Sequence, residues 1–228
     1  MILFQRMQKK EGGCNVSVEH IKIECILPEE IEKRSFEIIT KELLQRGICL
    51  PEEEAPIIKR VIHTSADFDY CKTLCFSQDA VQILKKLIQD GADIVTDTNM
   101  ALAGINKKAL AQFGGQAHCF MADEEVALMA KQSNMTRAAV SMEKAAKIGK
   151  PVIFAIGNAP TALISLYALS KARDWKPAFI IGVPVGFVNV EAAKELILSM
   201  DIPHIVNRGR KGGSSIAAAI CNAVLKNC

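Results

Sequence analysis

Five short stretches of this sequence hold side chains able to do chemistry. In VIHTSADFDY (61–70), His63 follows an apolar pair and precedes a polar turn. An imidazole with a reference pKa of about 6.5 holds or donates a proton near neutrality, which makes His63 a candidate general acid. The competing reading is a hydrogen-bonded structural histidine, and that reading is kept for His20, His118 and His204. Thr136 and Arg137 open a helical pattern; there a guanidinium clamps a carboxylate bidentately or sits in a surface ion pair. GNAPT (157–161) places Asn158 and Thr161 where a helix N-terminus adds unpaired backbone N–H groups. PVGFV (184–188) is less polar and suits a wall against a greasy ligand. RGRKGGSS (208–215) joins Arg208, Arg210 and Lys211 to glycines that let the backbone approach an anion closely, or that simply cap a solvated turn.

The three loops 157–161, 184–188 and 208–215 together point to a ligand with several carboxylates or phosphates. The GxxxxGK[ST] spacing of a phosphate loop is absent, and no strand leads into GxGxxG with an acidic residue at the dinucleotide-binding distance. That weakens a nucleotide reading. Histidines and carboxylates do not pair at metal-site spacing, so no protein-bound catalytic metal and no cofactor is expected. The eight cysteines form no CxxC pair and read as free, mostly buried thiols.

The elements that must carry these loops alternate along the chain. Residues 1–18 are polar and aperiodic, a tail or irregular lead-in. A helix begins at Pro28, with Glu29 and Glu30 at the positive end of its dipole and Gly47 as its stop. Ile31, Ser35, Ile38 and Ile39 share one face of it, so Ser35 is expected on the inner side. A helix from Ala80 ends at Gly91, a strand follows at 93–96, and a weaker strand is expected at 117–121. Helices open near Asp123 and Thr136. VIFAI (152–156), FIIGV (179–183) and HIVN (204–207) are short apolar strands, each followed by a glycine-containing loop and a helix. Such a series predicts a doubly wound α/β fold, a mostly parallel sheet flanked by helices in one main domain from residue 28, preceded by a lead-in over 1–27. Ligands of open parallel sheets bind beyond the carboxyl ends of the strands, which is where the last three loops fall.

The chain-wide properties agree. In 228 residues, half are hydrophobic and only 5% aromatic, enough for one sizeable aliphatic core. A net charge of +3 does not argue for nucleic acid. No apolar run reaches the roughly 20 residues of a membrane helix, and MILFQRMQKK lacks the pattern of a signal peptide. A cytoplasmic protein is expected.

Several segments in this order resemble the precorrin-8X methylmutases, including the cobalt-precorrin-8 enzymes of the anaerobic route. The carriers are IEKRSFEII (31–39), RVIHTSADFDY (60–70), TDTNMALAGI (96–105), TRAA (136–139), AIGNAPTAL (155–163), GVPVGFVNVEAAKE (182–195) and GRKGGSSIAAA (209–219). The resemblance implies migration of a methyl group from C11 to C12 of a corrin macrocycle in a cytoplasmic homodimer. It assigns His63 to hydrogen-bond or protonate the ring-C nitrogen, and Ser35 and Arg137 to the active site. The GNAP and GRKGG loops become grips for acetate and propionate side chains. One departure stands out: after AlaGlyIle the family often carries Thr or Ser followed by Arg, where this chain has Asn106 and Lys107. Asn106 keeps a hydrogen-bonding ligand contact, while Lys107 keeps charge without the planar fork. The alternatives are a tetrapyrrole carrier without catalysis, and another α/β enzyme acting on a polyanionic metabolite.

Overall fold

The computed structural model describes residues 15–18, 21–24, 26–172 and 175–228. Its contacts divide the chain into a first unit reaching to Cys49 and a second from Leu50 to Cys228.

In the first unit, strands β1 (Asn15–Val18) and β2 (Ile21–Glu24) pair antiparallel, with Asn15 opposite Glu24 and Val18 opposite Ile21. Residues 15–18, expected as part of a structureless lead-in, are therefore a strand; the rest of 1–14 lies outside the described residues. A short 3-10 turn at Pro28–Glu30 leads into α1 (Ile31–Gln45). The helix stops where expected: Gly47 is left-handed at φ 67°, and the amides of Gly47 and Ile48 donate back to the carbonyls of Leu44 and Leu43. The inward face is narrower than the sequence pattern suggested. Ile39 and Leu43 are buried, but Ile31 and Ile38 are 52% and 48% exposed. Ser35 lies one turn before Ile39 on the same stripe and is half-buried, and its hydroxyl donates to the Ile31 carbonyl at 2.9 Å.

The second unit is built on a six-stranded sheet. Its strands are β3 (Leu74–Phe76), β4 (Asp93–Thr96), β5 (Ala117–His118), β6 (Val152–Ile156), β7 (Phe179–Gly182) and β8 (His204–Asn207). They lie in the order β3-β8-β7-β6-β4-β5, and only the β3–β8 pairing is antiparallel. From β4 the chain winds outward to β5 on one side, then from β6 through β7 to β8 on the other. This is the doubly wound order, and the direction reverses between β4 and β6.

The helices are α2 (Ala55–Ser65), α3 (Tyr70–Thr73), α4 (Ala80–Gln89), α5 (Asn99–Gly104), α6 (Lys107–Gln112), α7 (Glu124–Gln132), α8 (Arg137–Ala145), α9 (Pro160–Ala172), α10 (Val190–Leu198) and α11 (Ser214–Leu225). Phe154, Ile156, Ile180 and Val206 project from one sheet face into a core with Met142 of α8, Leu163 and Leu166 of α9, and Ile197 of α10. Alternate residues such as Ile153, Ala155, Ile181 and Ile205 point the other way and are equally buried. There α11 packs on β6 and β7 and against α2, α4 and α5. Burial on both faces explains why these strands are unbroken apolar runs.

The polar anchor of the opposite edge is Asp93, at the start of β4. Its carboxylate accepts from the Gln116 amide at 2.7 Å and His118 Nε2 at 3.0 Å, and pairs with Lys150 Nζ at 2.8 Å. Burial by itself raises its pKa, but these three partners outweigh burial and hold it below the ordinary aspartate value. His118 is thus the structural histidine expected, as is His204, whose ring Nδ1 meets the Ile202 carbonyl at 2.8 Å; His20 lies outside the described residues. The cysteines differ from expectation. Of those described, only Cys221 is buried, Cys49 is exposed, and Cys71, Cys75, Cys119 and Cys228 are half-buried; Cys14 and Cys25 lie outside the described residues.

A carboxylate whose native pKa is depressed stabilises the fold above its unfolded pKa and ceases to do so as the pH falls through the native value. Asp93→Asn is therefore expected to cost about 1.5–3 kcal/mol at pH 7. The gap from wild type should close in denaturant titrations carried below pH 4. A constant gap from pH 7 to pH 3 would show that the carboxylate charge is not what Asp93 contributes.

Candidate active site

The carboxyl edge of the sheet gathers most of the loops singled out in the sequence, and Asp97 organises it. This residue follows β4 and is fully buried. Its carboxylate accepts from the amides of Gly157 at 2.8 Å, Asn158 at 2.8 Å and Ala159 at 2.6 Å. Burial pushes its pKa up, and the amides pull in the opposite direction. The N–H groups before α9, expected to be open to an anionic ligand, are thus already occupied by the protein's own carboxylate. The next residue, Thr98, caps α5 by accepting from the Ala101 amide and shares a 2.8 Å hydrogen bond with Ser214 at the start of α11. Gly157 is required here, because a Cβ on it would lie 2.7 Å from Ser214 Cα.

The loop between β8 and α11 is fixed just as tightly. A Cβ on Gly212 would lie 2.1 Å from the Val183 carbonyl oxygen, so only glycine lets this turn pack against the end of β7. Lys194 of α10 is fully buried, and its ammonium donates to the carbonyls of Gly209 at 2.6 Å and Lys211 at 2.9 Å. Burial lowers its pKa to about 8 against the opposing pull of Glu191. Asn207 donates to the carbonyls of Arg208 and Lys211 and accepts from the Thr73 hydroxyl.

The basic side chains of this loop are not alone. Lys211 Nζ lies 2.6 Å from both Asp67 and Asp69, which raises its pKa and lowers that of Asp67. Arg208 and Arg210 make looser contacts, 3.6 Å to Glu195 and 3.7 Å to Glu191, with more than half of each guanidinium side chain exposed. Arg210 also stands 5.4 Å from the ring centroid of Phe187, itself 82% exposed. Lys211 is a tie between two loops, whereas the arginines are loosely held and able to exchange partners.

That tie brings His63 to the same edge. His63 sits in the last turn of α2 and is exposed; the chain then turns through left-handed Ala66 into Asp67 and Asp69, the Lys211 partners. Because β3 runs antiparallel to β8, Leu74 pairs with Asn207 at the carboxyl edge. Helix α2 was not among the elements expected, although Ile57, Ile58, Val61 and Ile62 recur at helical spacing and are all buried.

Thr136 and Thr161 are joined at 3.0 Å and line a groove of about 480 Å³ between α8 and α9. Thr136 also caps α8 through the Ala139 amide. Arg137 and Asn158 are exposed, and among the described residues neither side chain has a hydrogen-bonded or ionic partner. The groove itself is lined mostly by apolar side chains, Ile164 and Leu169 among them, with Glu143 and the two threonine hydroxyls; Arg137 and Asn158 are not among its lining residues. The open guanidinium, the open carboxamide, the basic loop and the histidine are each groups that can hold an anionic ring or offer it one proton.

The comparisons with known proteins decide the family. Residues 30–227 match the model of the precorrin-8X methylmutases. This chain belongs to that family. It is 43% identical to the cobalt-precorrin-8 methylmutase of Priestia megaterium, over 87% of this chain and 88% of that one. It is 42% identical to the enzyme of the same name from Salmonella typhimurium, over 87% of this chain and 94% of that one. The crystal structure of a precorrin-8X methylmutase from Thermus thermophilus superposes with a TM-score of 0.78 at 36% identity, covering 86% of this chain and 96% of that one.

Within this methylmutase fold, Asn106 has a use of its own. It caps α6, accepting from the Ala109 amide, while its backbone amide donates to Asn222 on α11. Ser35 belongs to the first unit. The residues that sequence reasoning missed are Asp97, Lys194, Asp67 and Asp69. Asp97 and Lys194 stand inside the segments TDTNMALAGI and GVPVGFVNVEAAKE, but nothing in the spacing says that either is buried or which amides and carbonyls it meets.

Asp97→Ala would leave three amides without their acceptor. The expected loss is about 3 kcal/mol or more in chemical unfolding, together with lowered turnover. Wild-type stability in that variant would show that water replaces the carboxylate without cost.

Proposed function

We propose that this chain moves a methyl group between adjacent carbons of the macrocycle of cobalt-precorrin-8, as an isomerase of cobalamin biosynthesis. The observation that carries the reading is the family match over nearly the whole chain, joined to one sheet edge that holds His63 and the arginine-bearing loop. Both of these relatives above 40% identity, from Priestia megaterium and Salmonella typhimurium, are named for the cobalt form, which favours the metal-containing substrate over the metal-free one. The cobalt arrives as part of the substrate.

The migration is an internal rearrangement and needs neither an electron carrier nor a covalent enzyme intermediate. The protein's part is to hold the polyanion, fix the shape of the ring and place one donor. His63 is that donor, toward the ring-C nitrogen. Arg137, Arg208 and Arg210 receive the acetate and propionate carboxylates, the last two by exchanging their loose glutamate contacts. Asn158, Thr136 and Thr161 supply neutral hydrogen bonds. Lys211, held by two aspartates, serves to keep the histidine turn and the loop in register. Asn106 has only the donors of its carboxamide to offer a ligand while its oxygen caps α6. We read the working form as a cytoplasmic homodimer, which sedimentation tests directly.

His63→Ala should lower kcat by about a hundredfold or more while the macrocycle still binds. Following conversion of cobalt-precorrin-8 by absorbance separates the outcomes: normal turnover in the variant removes His63 from the chemistry. A ring bound unchanged by wild type would instead favour a carrier. Arg210→Ala is expected to raise KM about tenfold, the worth of one charged hydrogen bond, with little change in kcat. An unaltered KM would show that this guanidinium does not meet the substrate.

A further inference from the structure

Lys194 presents a physical puzzle that the reaction itself does not explain. A fully buried ammonium is costly unless something compensates it. Its nearest compensation is not a carboxylate but two main-chain oxygens, those of Gly209 and Lys211, on either side of Arg210. The peptide bonds are trans, so each N–H points opposite to the carbonyl of its own peptide unit. Drawing the Gly209 and Lys211 oxygens onto one buried nitrogen therefore turns the amides of Arg210 and Gly212 away from it. The neighbouring carbonyls are held as well: Arg208 by Asn207, and Arg210 by the Gly186 amide at 3.2 Å. Among the described residues, the amides of Gly209, Arg210, Lys211 and Gly212 donate to no protein acceptor. Gly209 at φ 74° and Gly212 at φ 157° make this run of peptides possible.

We propose that Lys194 is a positioning residue for substrate binding, which orients the main chain of residues 209–212 so that its amides, and not only its basic side chains, receive a substrate carboxylate. The proposal rests on the reading of this loop as a carboxylate grip and specifies how it grips. The side chains alone are an incomplete account, since Lys211 is already engaged by two aspartates and each arginine faces a glutamate. Main-chain amides carry no such internal partners, and charge-assisted hydrogen bonds to a carboxylate suit them.

The test compares Lys194→Met, which keeps the length of the side chain but removes its donors, with Arg210→Ala and the wild type. Three quantities are read: affinity for cobyrinate, the product expected from cobalt-precorrin-8, by absorbance titration, KM and kcat with cobalt-precorrin-8, and amide exchange across 208–213. For Lys194→Met we expect affinity and KM to worsen about tenfold or more with kcat changed much less, and exchange to quicken in this loop but not in the sheet. That result supports the proposal whatever Arg210→Ala does. Wild-type affinity in Lys194→Met, with weakened binding in Arg210→Ala, overturns it while leaving the loop as a side-chain grip. Wild-type affinity in both removes the loop from binding altogether, and the proposal with it. A fall in kcat at unchanged affinity also overturns it. Should Lys194→Met fail to fold, Lys194→Leu, which likewise removes the donors, carries the same comparison: weakened binding supports the role and wild-type binding refutes it.

Discussion

The buried carboxylate of Asp97 is the constraint on which the edge of the sheet depends. It sits where the winding direction reverses, between β4 and β6, and three successive amides of the following loop converge on it. An open sheet splits there, because the chains leaving the two strands diverge to opposite sides. Asp97 closes that split from within, using the positive end of α9 that other proteins leave open for anions. The groove lined by Thr136 and Thr161 and the contact of Gly157 with α11 both follow from where that loop is held.

The second feature is the balance of charge. Arg208, Arg210 and Lys211 face Glu195, Glu191, Asp67 and Asp69, so the loop is not a bare positive patch. Pairs at 2.6 Å with two carboxylates hold geometry, and pairs near 3.7 Å on exposed side chains are readily exchanged. The same loop thus combines a fixed member with mobile ones. For a rearrangement in which the ring keeps its substituents, affinity for the reactive shape matters more than gross charge, and a rigid frame with exchangeable contacts serves that need.

The sheet was readable because its strands are buried on both faces: 93–96, 152–156 and 204–207 emerged with the expected bounds, and 179–183 differed by one residue. The weak strand at 117–121 shrank to Ala117–His118, since it has only β4 for a neighbour. The three-residue β3 was not read, because its alternation is too short to stand out and its place depends on antiparallel pairing with β8. Ser35 was traced to the correct stripe of α1, yet its environment was judged too apolar, as Ile31 and Ile38 proved exposed.

For the site, the sequence by itself determined the family, the candidate acid His63 and the loops at the strand ends, because those depend on residue types at local spacing. Only the tertiary structure decided what each polar group is already doing. The amides before α9 belong to Asp97, Lys211 to two aspartates and the Asn106 oxygen to a helix cap, while Arg137 and Asn158 are left without protein partners. The reason is that hydrogen bonding is satisfied between segments far apart in the chain, such as Asp97 with Gly157 or Lys211 with Asp67. No local pattern records which distant partner a buried polar group will meet.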